Sequence, residues 1–203
     1  MDADKIKIEK QLFPSKRLFF IGVYRRPNNV TGMFPMSITN IKGRAHLLGD
    51  NINTDLNCSS KYLPGKDNAY IAQHAFEQVA PGFASRFRPG DVIVAGRNFG
   101  INSSREQAVH ILRLMGVAAI IAQSFGRQFF RNTINNGLPA VECDIAGIAD
   151  GDEITTDLAA GKVAVAARNI NRSVAALPPA VQSILAAGGL IAFLQKHPDW
   201  KIA

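Results

Sequence analysis

The sequence of 203 residues predicts an α/β fold with a mostly parallel central sheet. Continuous apolar runs at residues 91–95 and 117–122 are typical of strands that are buried on both faces of a parallel sheet. Each run is followed by a loop that contains glycine, and then by a segment whose apolar residues recur at helical spacing. This alternation of strands and helices implies right-handed crossovers and a sheet that is covered by helices.

The loop after the first of these runs, residues 96–107, is the most informative stretch of the chain. Its spacing of Ser103 and Glu106 fits a capping box, which predicts a helix with Ser103 at the N-cap and Glu106 at the third helical position. Gly116 stands where that helix needs a left-handed residue to end. Two serine hydroxyls, an arginine and backbone N–H groups at the positive end of a helix form a suitable place for an anion.

The other elements are predicted from the same patterns, in chain order. We expect strands at residues 18–24, 38–48, 138–143 and 161–166, and helices at residues 70–79, between Gly126 and Asn136, and after Pro179. Residues 150–153 have the composition of a hairpin-type turn. A turn rich in asparagine and aspartate at residues 49–55 ends at Asp55, whose carboxylate can orient hydroxyls and amines.

A change of composition divides the chain into two parts. Residues 1–36 contain seven Lys and Arg against three acidic residues, so we predict a basic N-terminal extension at 1–36 and the main domain at 37–203. The extension either packs on the edge of the domain or provides a basic surface that docks a partner subunit.

Charge and composition exclude several classes of function. The net charge of +7 is compatible with an anionic substrate, an acidic partner or nucleic acid. The sequence has no recognition-helix pattern, zinc spacing or aromatic RNA-binding motif, so we expect no nucleic-acid partner. No apolar run approaches the roughly 20 residues that cross a bilayer, so we expect no membrane segment.

The two cysteines, Cys58 and Cys143, do not form a C-x-x-C pair. The chain therefore cannot hold an iron–sulfur cluster or a structural zinc by itself. We expect two free buried thiols of a cytoplasmic protein, while a single disulfide remains open.

The run Asn-Phe-Gly-x-x-Ser-Ser-Arg-Glu-Gln at residues 98–107 resembles the signature loop of the swivelling domain of the aconitase superfamily. It is most similar to that loop in the small subunits of 3-isopropylmalate dehydratases. Residues 49–55 and 124–139 also match segments of that family, and the resemblance spans residues 37 to about 195. It implies a three-layer β/β/α arrangement.

The resemblance also implies a reaction and a set of residue roles. Members of the superfamily isomerise hydroxy acids by dehydration and rehydration, with a [4Fe–4S] cluster on a separate large subunit or domain. Carried over by position, Ser103 is the general base, and Asp55 is a catalytic acidic residue that organises the site. Ser104 and Arg105 bind a carboxylate of the substrate. Lys61, where the family has arginine, is a substrate-binding residue that contributes to specificity. No metal or cofactor is assigned to this chain.

Besides Lys61, four residues depart from the family pattern. Ile101 and Asn102 stand where Cys-Gly or Glu-Gly is usual, Gln107 replaces the commoner histidine, and Gly126 replaces an alanine. None of these changes removes the base, but the changes at residues 101, 102 and 107 together make a non-standard substrate more plausible than it would otherwise be.

We therefore expect the small subunit of an isopropylmalate dehydratase-type hydro-lyase of leucine biosynthesis, cytoplasmic and inactive without its large subunit. Its other partner is a di- or tricarboxylic acid, and a homo-oligomer remains possible. One alternative is the small subunit of a related hydro-lyase, such as homoaconitase or a methylmalate or dimethylmalate dehydratase. The other is a non-catalytic anion-binding module that kept the fold.

Overall fold

The computed structural model describes residues 40–102 and 104–199, and these contain seven β-strands and seven α-helices. The strands are β1 (Ile41–Leu48), β2 (Val92–Ala95), β3 (Ala119–Ala122), β4 (Ala140–Glu142), β5 (Glu153–Asp157), β6 (Lys162–Val165) and β7 (Ile170–Ser173). The helices are α1 (Thr54–Asn57), α2 (Asn68–Gln73), α3 (Phe83–Arg86), α4 (Glu106–Leu114), α5 (Arg127–Asn135), α6 (Pro179–Ala186) and α7 (Leu190–Lys196). The predicted extension at residues 1–36, the strand predicted at 18–24, the first two residues of the predicted strand 38–48, and Ser103 lie outside the described residues.

The strands form one mixed sheet in the order β4-β3-β2-β1-β5-β6-β7. The pairs among β1 to β4 are parallel, whereas β1 with β5, β5 with β6 and β6 with β7 are antiparallel. The predicted α/β class is confirmed, but the prediction of a mostly parallel sheet holds only for this first half. All residues of β2 and β3 are buried, as their apolar runs predicted for central parallel strands.

In the antiparallel half, β6 confirms the strand predicted at residues 161–166, whereas β5 and β7 were not predicted because each contains a single apolar residue. In β5 only Ile154 and Thr156 are buried, and the Thr156 hydroxyl donates to the carbonyl oxygen of Lys162 at 2.8 Å. The turn at residues 150–153 is therefore not a hairpin, since it leads into β5, which pairs with β1 and β6 and not with β4. The hairpin turn lies instead at residues 158–161, between β5 and β6.

The two faces of the parallel strands belong to two separate apolar cores. Side chains of one face, among them Ile93 and Ile120, pack with residues of helices α2 and α4. Side chains of the other face, among them Val94 and Ile121, pack with residues of β5, β6 and β7. The described part of the chain thus has three layers, with the parallel strands between helices on one side and the antiparallel strands on the other, which agrees with the expected β/β/α order.

Helices α4 and α5 both end in the way the sequence predicted. Gly116 is left-handed at φ +80°, its N–H donates to Arg113, and the N–H of Val117 donates to Leu112 at 3.1 Å. This is the Schellman arrangement, in which the last carbonyl groups of a helix find donors. Helix α5 ends in the same way at Gly137.

The helix predicted at residues 70–79 is shorter, since α2 ends at Gln73. Ile71, Ala75 and Phe76 are buried as the pattern predicted. Phe76, however, has a φ of +62°, and its N–H donates to the carbonyl oxygen of Asn57 at 3.1 Å. The backbone at residue 76 therefore bonds to the end of α1 and does not continue the helix.

A buried pair, His46 and Asp91, joins the start of β2 to β1. The Nε2 of His46 lies 2.7 Å from Oδ2 of Asp91, and their side chains are only 4% and 12% exposed. The same carboxylate accepts the backbone N–H groups of Arg88 at 2.9 Å and Arg44 at 3.3 Å. Asp91 thus fixes both β1 and the turn before β2, away from the loops at the other end of these strands.

Both cysteines are free and buried, as expected from the sequence. Cys58 belongs to the core between the parallel strands and the helices, and Cys143 belongs to the core on the opposite face. Burial raises the pKa of both thiols, so each stays protonated at neutral pH. Within the described part of the chain, no helix has the length and apolar character needed to span a membrane.

Candidate functional site

The loops that follow β1, β2 and β3 lie side by side and are joined by hydrogen bonds. The N–H of Asn51 donates to the carbonyl oxygen of Arg97, and the N–H of Arg97 donates to the Asp50 carboxylate, both at 2.7 Å. The N–H of Phe99 donates to the carbonyl oxygen of Ser124 at 2.9 Å, which connects the third loop. Open α/β sheets bind their ligands at this edge. We call residues 49–61, 96–102, 104–107 and 123–127 the carboxyl-edge site.

The signature loop contains three residues with left-handed backbone, Asn98, Gly100 and Asn102, with φ values of 59°, 78° and 56°. The side-chain amide of Asn98 donates to Oδ1 of Asn51 at 2.8 Å, which fixes this part of the loop. Asn102 stands where the family pattern has glycine, and asparagine is among the residues that tolerate this conformation best. The Ile101-Asn102 departure therefore leaves the turn of the loop intact.

Gly126, the position where the family has alanine, touches the signature loop. A Cβ atom at Gly126 would lie 2.4 Å from the carbonyl oxygen of Gly100 and 3.2 Å from Cα of Ile101. Since these are backbone atoms, they cannot give way by a side-chain rotation. The absence of a Cβ at Gly126 therefore lets the loops after β2 and β3 approach each other closely.

We expect Gly126→Ala to destabilise the protein by about 1–3 kcal/mol, the usual cost of overpacking. The measurement is the free energy of unfolding in urea. Gly49→Ala is the matched control, because a Cβ at Gly49 would meet no atom within 4 Å. Equal stability of the two variants would show that the contact between the loops is not tight.

The signature helix begins later than the capping box predicted. Helix α4 starts at Glu106, and its N-cap is Arg105, whose backbone is extended and whose side chain makes no capping hydrogen bond. Glu106 is therefore the first helical residue and not the third. The left-handed Asn102 and the extended Arg105 keep this segment out of the helix. Ser103 lies outside the described residues.

Arg105 and Asp55 come together although they are far apart in the sequence. The Nε of Arg105 lies 3.8 Å from Oδ2 of Asp55, and the Asp55 side chain is 8% exposed whereas that of Arg105 is 48% exposed. Asp55 belongs to the first turn of α1, and the Asn53 side chain caps this helix by accepting the N–H groups of Asp55 and Leu56. The cap thus fixes the buried carboxylate, which in turn holds one side of an accessible guanidinium.

Ser104 and Lys61 are exposed at the same site. The carbonyl oxygen of Ser104 accepts the Asn132 amide of α5 at 3.3 Å. The N–H of Lys61 donates to the hydroxyl of Ser59 at 3.1 Å, and that hydroxyl donates to the carbonyl oxygen of Asp55 at 2.7 Å. The structure therefore brings Asp55, Lys61, Ser104 and Arg105 to one edge of the sheet.

Gln107 has a contact that the sequence did not reveal. Its side chain joins α4 to the segment that carries Lys61, through the N–H of Ser60 at 3.0 Å and the Asn68 side chain at 2.7 Å. The only signal in the sequence was that glutamine replaces the commoner histidine at this position. Nothing in the spacing indicated which segment the side chain would contact.

The electrostatics of the carboxyl-edge site suit a small anion with more than one carboxylate. The N-terminal end of α4 has N–H groups without intrahelical acceptors and carries a partial positive charge. The exposed cations Lys61, Arg97 and Arg105 lie on the surrounding loops. An arginine can bind a carboxylate with two parallel hydrogen bonds, which fixes the orientation of the bound acid.

The cysteines of this chain do not fit an iron–sulfur cluster. Such clusters are held mainly by cysteine thiolates, whereas Cys58 and Cys143 are protonated, buried and on opposite faces of the sheet. Within residues 40–102 and 104–199, no three or more His, Cys, Asp or Glu side chains are grouped so as to hold a metal ion.

Comparisons with known proteins show which family the chain belongs to. Residues 28–144 match the family model of the aconitase C-terminal domain. A 3-isopropylmalate dehydratase small subunit from Archaeoglobus fulgidus is 44% identical over 161 residues, which cover 79% of this chain and 98% of the relative. The chain belongs to the family of 3-isopropylmalate dehydratase small subunits. A small subunit from Caldicellulosiruptor saccharolyticus is also 44% identical, over 76% of this chain and 90% of that relative.

A solved member of this small-subunit family has the same fold. The crystal structure of 3-isopropylmalate dehydratase from Methanocaldococcus jannaschii matches with a TM-score of 0.72 and 40% sequence identity. The match covers 78% of this chain and 95% of that structure. The resemblance deduced from the signature loop is thereby confirmed for the family and for the fold.

Proposed function

We propose that this chain is the small subunit of a 3-isopropylmalate dehydratase-type hydro-lyase, which isomerises a hydroxy-dicarboxylic acid in leucine biosynthesis. The observation that carries the proposal is the arrangement of Arg105, beside the buried Asp55, at the start of a helix whose loop matches the family signature. Identity of 44% to named small subunits over most of the chain supports it.

Arg105 and Ser104 are the residues that would bind a carboxylate of the substrate. Arg105 is held on one side by Asp55, so its guanidinium loses less conformational freedom when an acid binds. Lys61, which is exposed on the loop after α1, would supply a second positive charge at this edge of the sheet. Two cations on separate loops fit an acid with two carboxylates, and Lys61 would contribute to the choice among such acids.

Ser103 would remove the carbon-bound proton of the substrate. A serine alkoxide is far too basic to persist in water, so its formation requires electrostatic support. The positive end of α4 and the Arg105 guanidinium supply positive charge near this position in the sequence. Asp55 would act through Arg105, because its carboxylate fixes the orientation of the guanidinium.

The partner is a large subunit, and it would carry the [4Fe–4S] cluster, since the cysteines of this chain do not fit one. The cluster would supply the Lewis acid for the departing hydroxyl. We place the complex in the cytoplasm, because free thiols are typical of reducing compartments. We also propose that the main domain begins at residue 37 and that the basic segment 1–36 docks onto the large subunit.

The direct test is co-expression with an aconitase-type large subunit from the same organism, followed by anaerobic purification. We expect hydration of isopropylmaleate, measured as loss of ultraviolet absorbance, only when both chains are present. Citraconate serves as the comparison substrate, because it has a methyl group where isopropylmaleate has an isopropyl group. Turnover by either chain alone would contradict the proposed division of roles.

A related hydro-lyase is the second candidate, and Lys61 is the observation that favours it. Lysine keeps the charge of the arginine usual in the family but lacks its planar, two-pronged geometry. If citraconate were hydrated faster than isopropylmaleate, the chain would be a subunit of a methylmalate-type dehydratase. A stable complex that hydrated neither acid would favour a non-catalytic anion-binding module.

A further inference from the structure

The segment that carries Lys61 is held at both of its ends by a single side chain, Gln107. We call residues 60–68 the lysine loop, because its exposed turn contains Lys61 and Lys66. At the first end, Oε1 of Gln107 accepts the N–H of Ser60 at 3.0 Å. At the second end, Nε2 of Gln107 donates to Oδ1 of Asn68, the first residue of α2, at 2.7 Å.

Gln107 is well suited to fix this loop relative to the carboxylate-binding residues. It lies in the first turn of α4, two positions after Arg105. It is partly buried, so its hydrogen bonds compete less with water than those of an exposed side chain. A neutral amide can accept one bond and donate another at the same time, and both capacities are used here.

The other contacts of the lysine loop are made within the loop or with its neighbours in the sequence and the core, such as the N–H groups of Tyr62 and Leu63, which both donate to the carbonyl oxygen of Ser59. Leu63 packs against the core beneath it, and Lys66 lies over the ring of Tyr70 at 4.8 Å. The hydroxyl oxygen of Ser59 accepts a hydrogen bond from the backbone N–H of Lys61 at 3.1 Å. The amide of Gln107 is thus the contact that ties both ends of the loop to α4.

We propose that Gln107 is a positioning residue for substrate discrimination, because its amide sets where the lysine loop stands relative to Arg105. The inference rests on the proposed function, in which Lys61 and Arg105 face the same acid. A tightly held loop leaves a space of defined size between these two cations. A loosened loop accommodates acids with different side groups more equally.

The test is Gln107→Leu in the assembled two-subunit enzyme, with kcat and KM measured for isopropylmaleate and citraconate. We expect the ratio of the two kcat/KM values to fall about tenfold, the scale set by loss of two net hydrogen bonds. The change should appear mainly in KM, with kcat for the better substrate within about twofold, because the reacting groups stay in place. Gln195→Leu, an exposed site on α7, is the matched control.

Two further variants separate a positioning role from a merely structural one. Asn68→Ala removes one of the two bonds, so its effect should be smaller, and it should add little to Gln107→Leu in the double variant. Asn68→Asp keeps an acceptor for the Gln107 amide, so it should discriminate between the two acids better than Asn68→Ala does. The inference would be overturned if Gln107→Leu lost kcat/KM equally for both acids, or if Asn68→Asp discriminated no better than Asn68→Ala.

A readout without turnover distinguishes failure of this inference from failure of the proposed function. In the full chain, trypsin should cleave after Lys61 and Lys66 about tenfold faster in Gln107→Leu than in the unaltered protein, since cleavage follows local opening. Unchanged cleavage would overturn the positioning role even if the enzyme is active. If the assembled, unaltered enzyme hydrated neither acid, the proposed function would be overturned, and so would the role of Gln107 in substrate discrimination. The rate of trypsin cleavage would still show whether Gln107 holds the lysine loop in place.

Discussion

Ser103→Ala should lower kcat of the assembled enzyme by a factor of about 10²–10⁴, the usual contribution of a general base. The change removes only a hydroxyl group, and Ser104 and Arg105, which we propose bind a carboxylate of the substrate, remain. We therefore expect KM to change little, while kcat and kcat/KM fall together, as for a group that acts mainly in the transition state. The measurement is the steady-state rate of hydration of the better of the two unsaturated acids.

A matched control excludes a general effect of removing a serine. Ser173→Ala, at the exposed end of β7, should leave kcat unchanged. Ser103→Ala should also keep the complex assembled and lose no more than about 2 kcal/mol of stability, which is ordinary for a point mutation. If Ser103→Ala retained near-normal kcat, the proton would have to be removed by another group.

Asp91→Ala should destabilise the protein by about 3 kcal/mol, because each buried donor left without its acceptor costs about 1–3 kcal/mol. The variant leaves the buried Nε2 of His46 without its acceptor. It also leaves the N–H groups of Arg88 and Arg44 without the carboxylate oxygens that they contact. The free energy of unfolding in urea measures the effect.

Two comparisons make the Asp91 result specific. Asp91→Asn keeps one oxygen as an acceptor and should lose less stability than Asp91→Ala. Glu153→Ala breaks an exposed ion pair with Lys42, whose side chains are 61% and 68% exposed, and should cost less than about 1 kcal/mol. A loss below that value in Asp91→Ala would show that water replaces the missing carboxylate.

The sequence predicted the central part of this fold because its signals there are local. The runs that became β2 and β3 are apolar at every position, and only a strand buried on both faces suits such a run. The ends of α4 and α5 were predicted because Gly116 and Gly137 take a backbone conformation that other residues avoid. The match to the family came from the residue types of the signature loop.

Strand β5 and the details of the site could not be predicted, because they depend on contacts that no local pattern of apolar residues reveals. In β5, Thr156 is buried although it is polar, because its hydroxyl donates a hydrogen bond to the carbonyl oxygen of Lys162. Helix α4 starts later than the sequence predicted, because the backbone of Arg105 is extended and its side chain lies beside Asp55. The contacts of Gln107 join residues 39 to 47 positions apart, and no local pattern predicts such pairs.

The double pairing of β1 has a consequence for how the chain can be shortened. Residues 41–44 of β1 pair with β5, and residues 45–48 pair with β2, so β1 joins the antiparallel half of the sheet to the parallel half. The matched family region ends at residue 144, before β5 begins. A fragment cut there would expose the apolar face that includes Val94 and Ile121, together with an unpaired strand edge, and such edges promote aggregation. The last third of the described chain therefore covers the apolar face of the parallel strands and protects it from contact with other molecules.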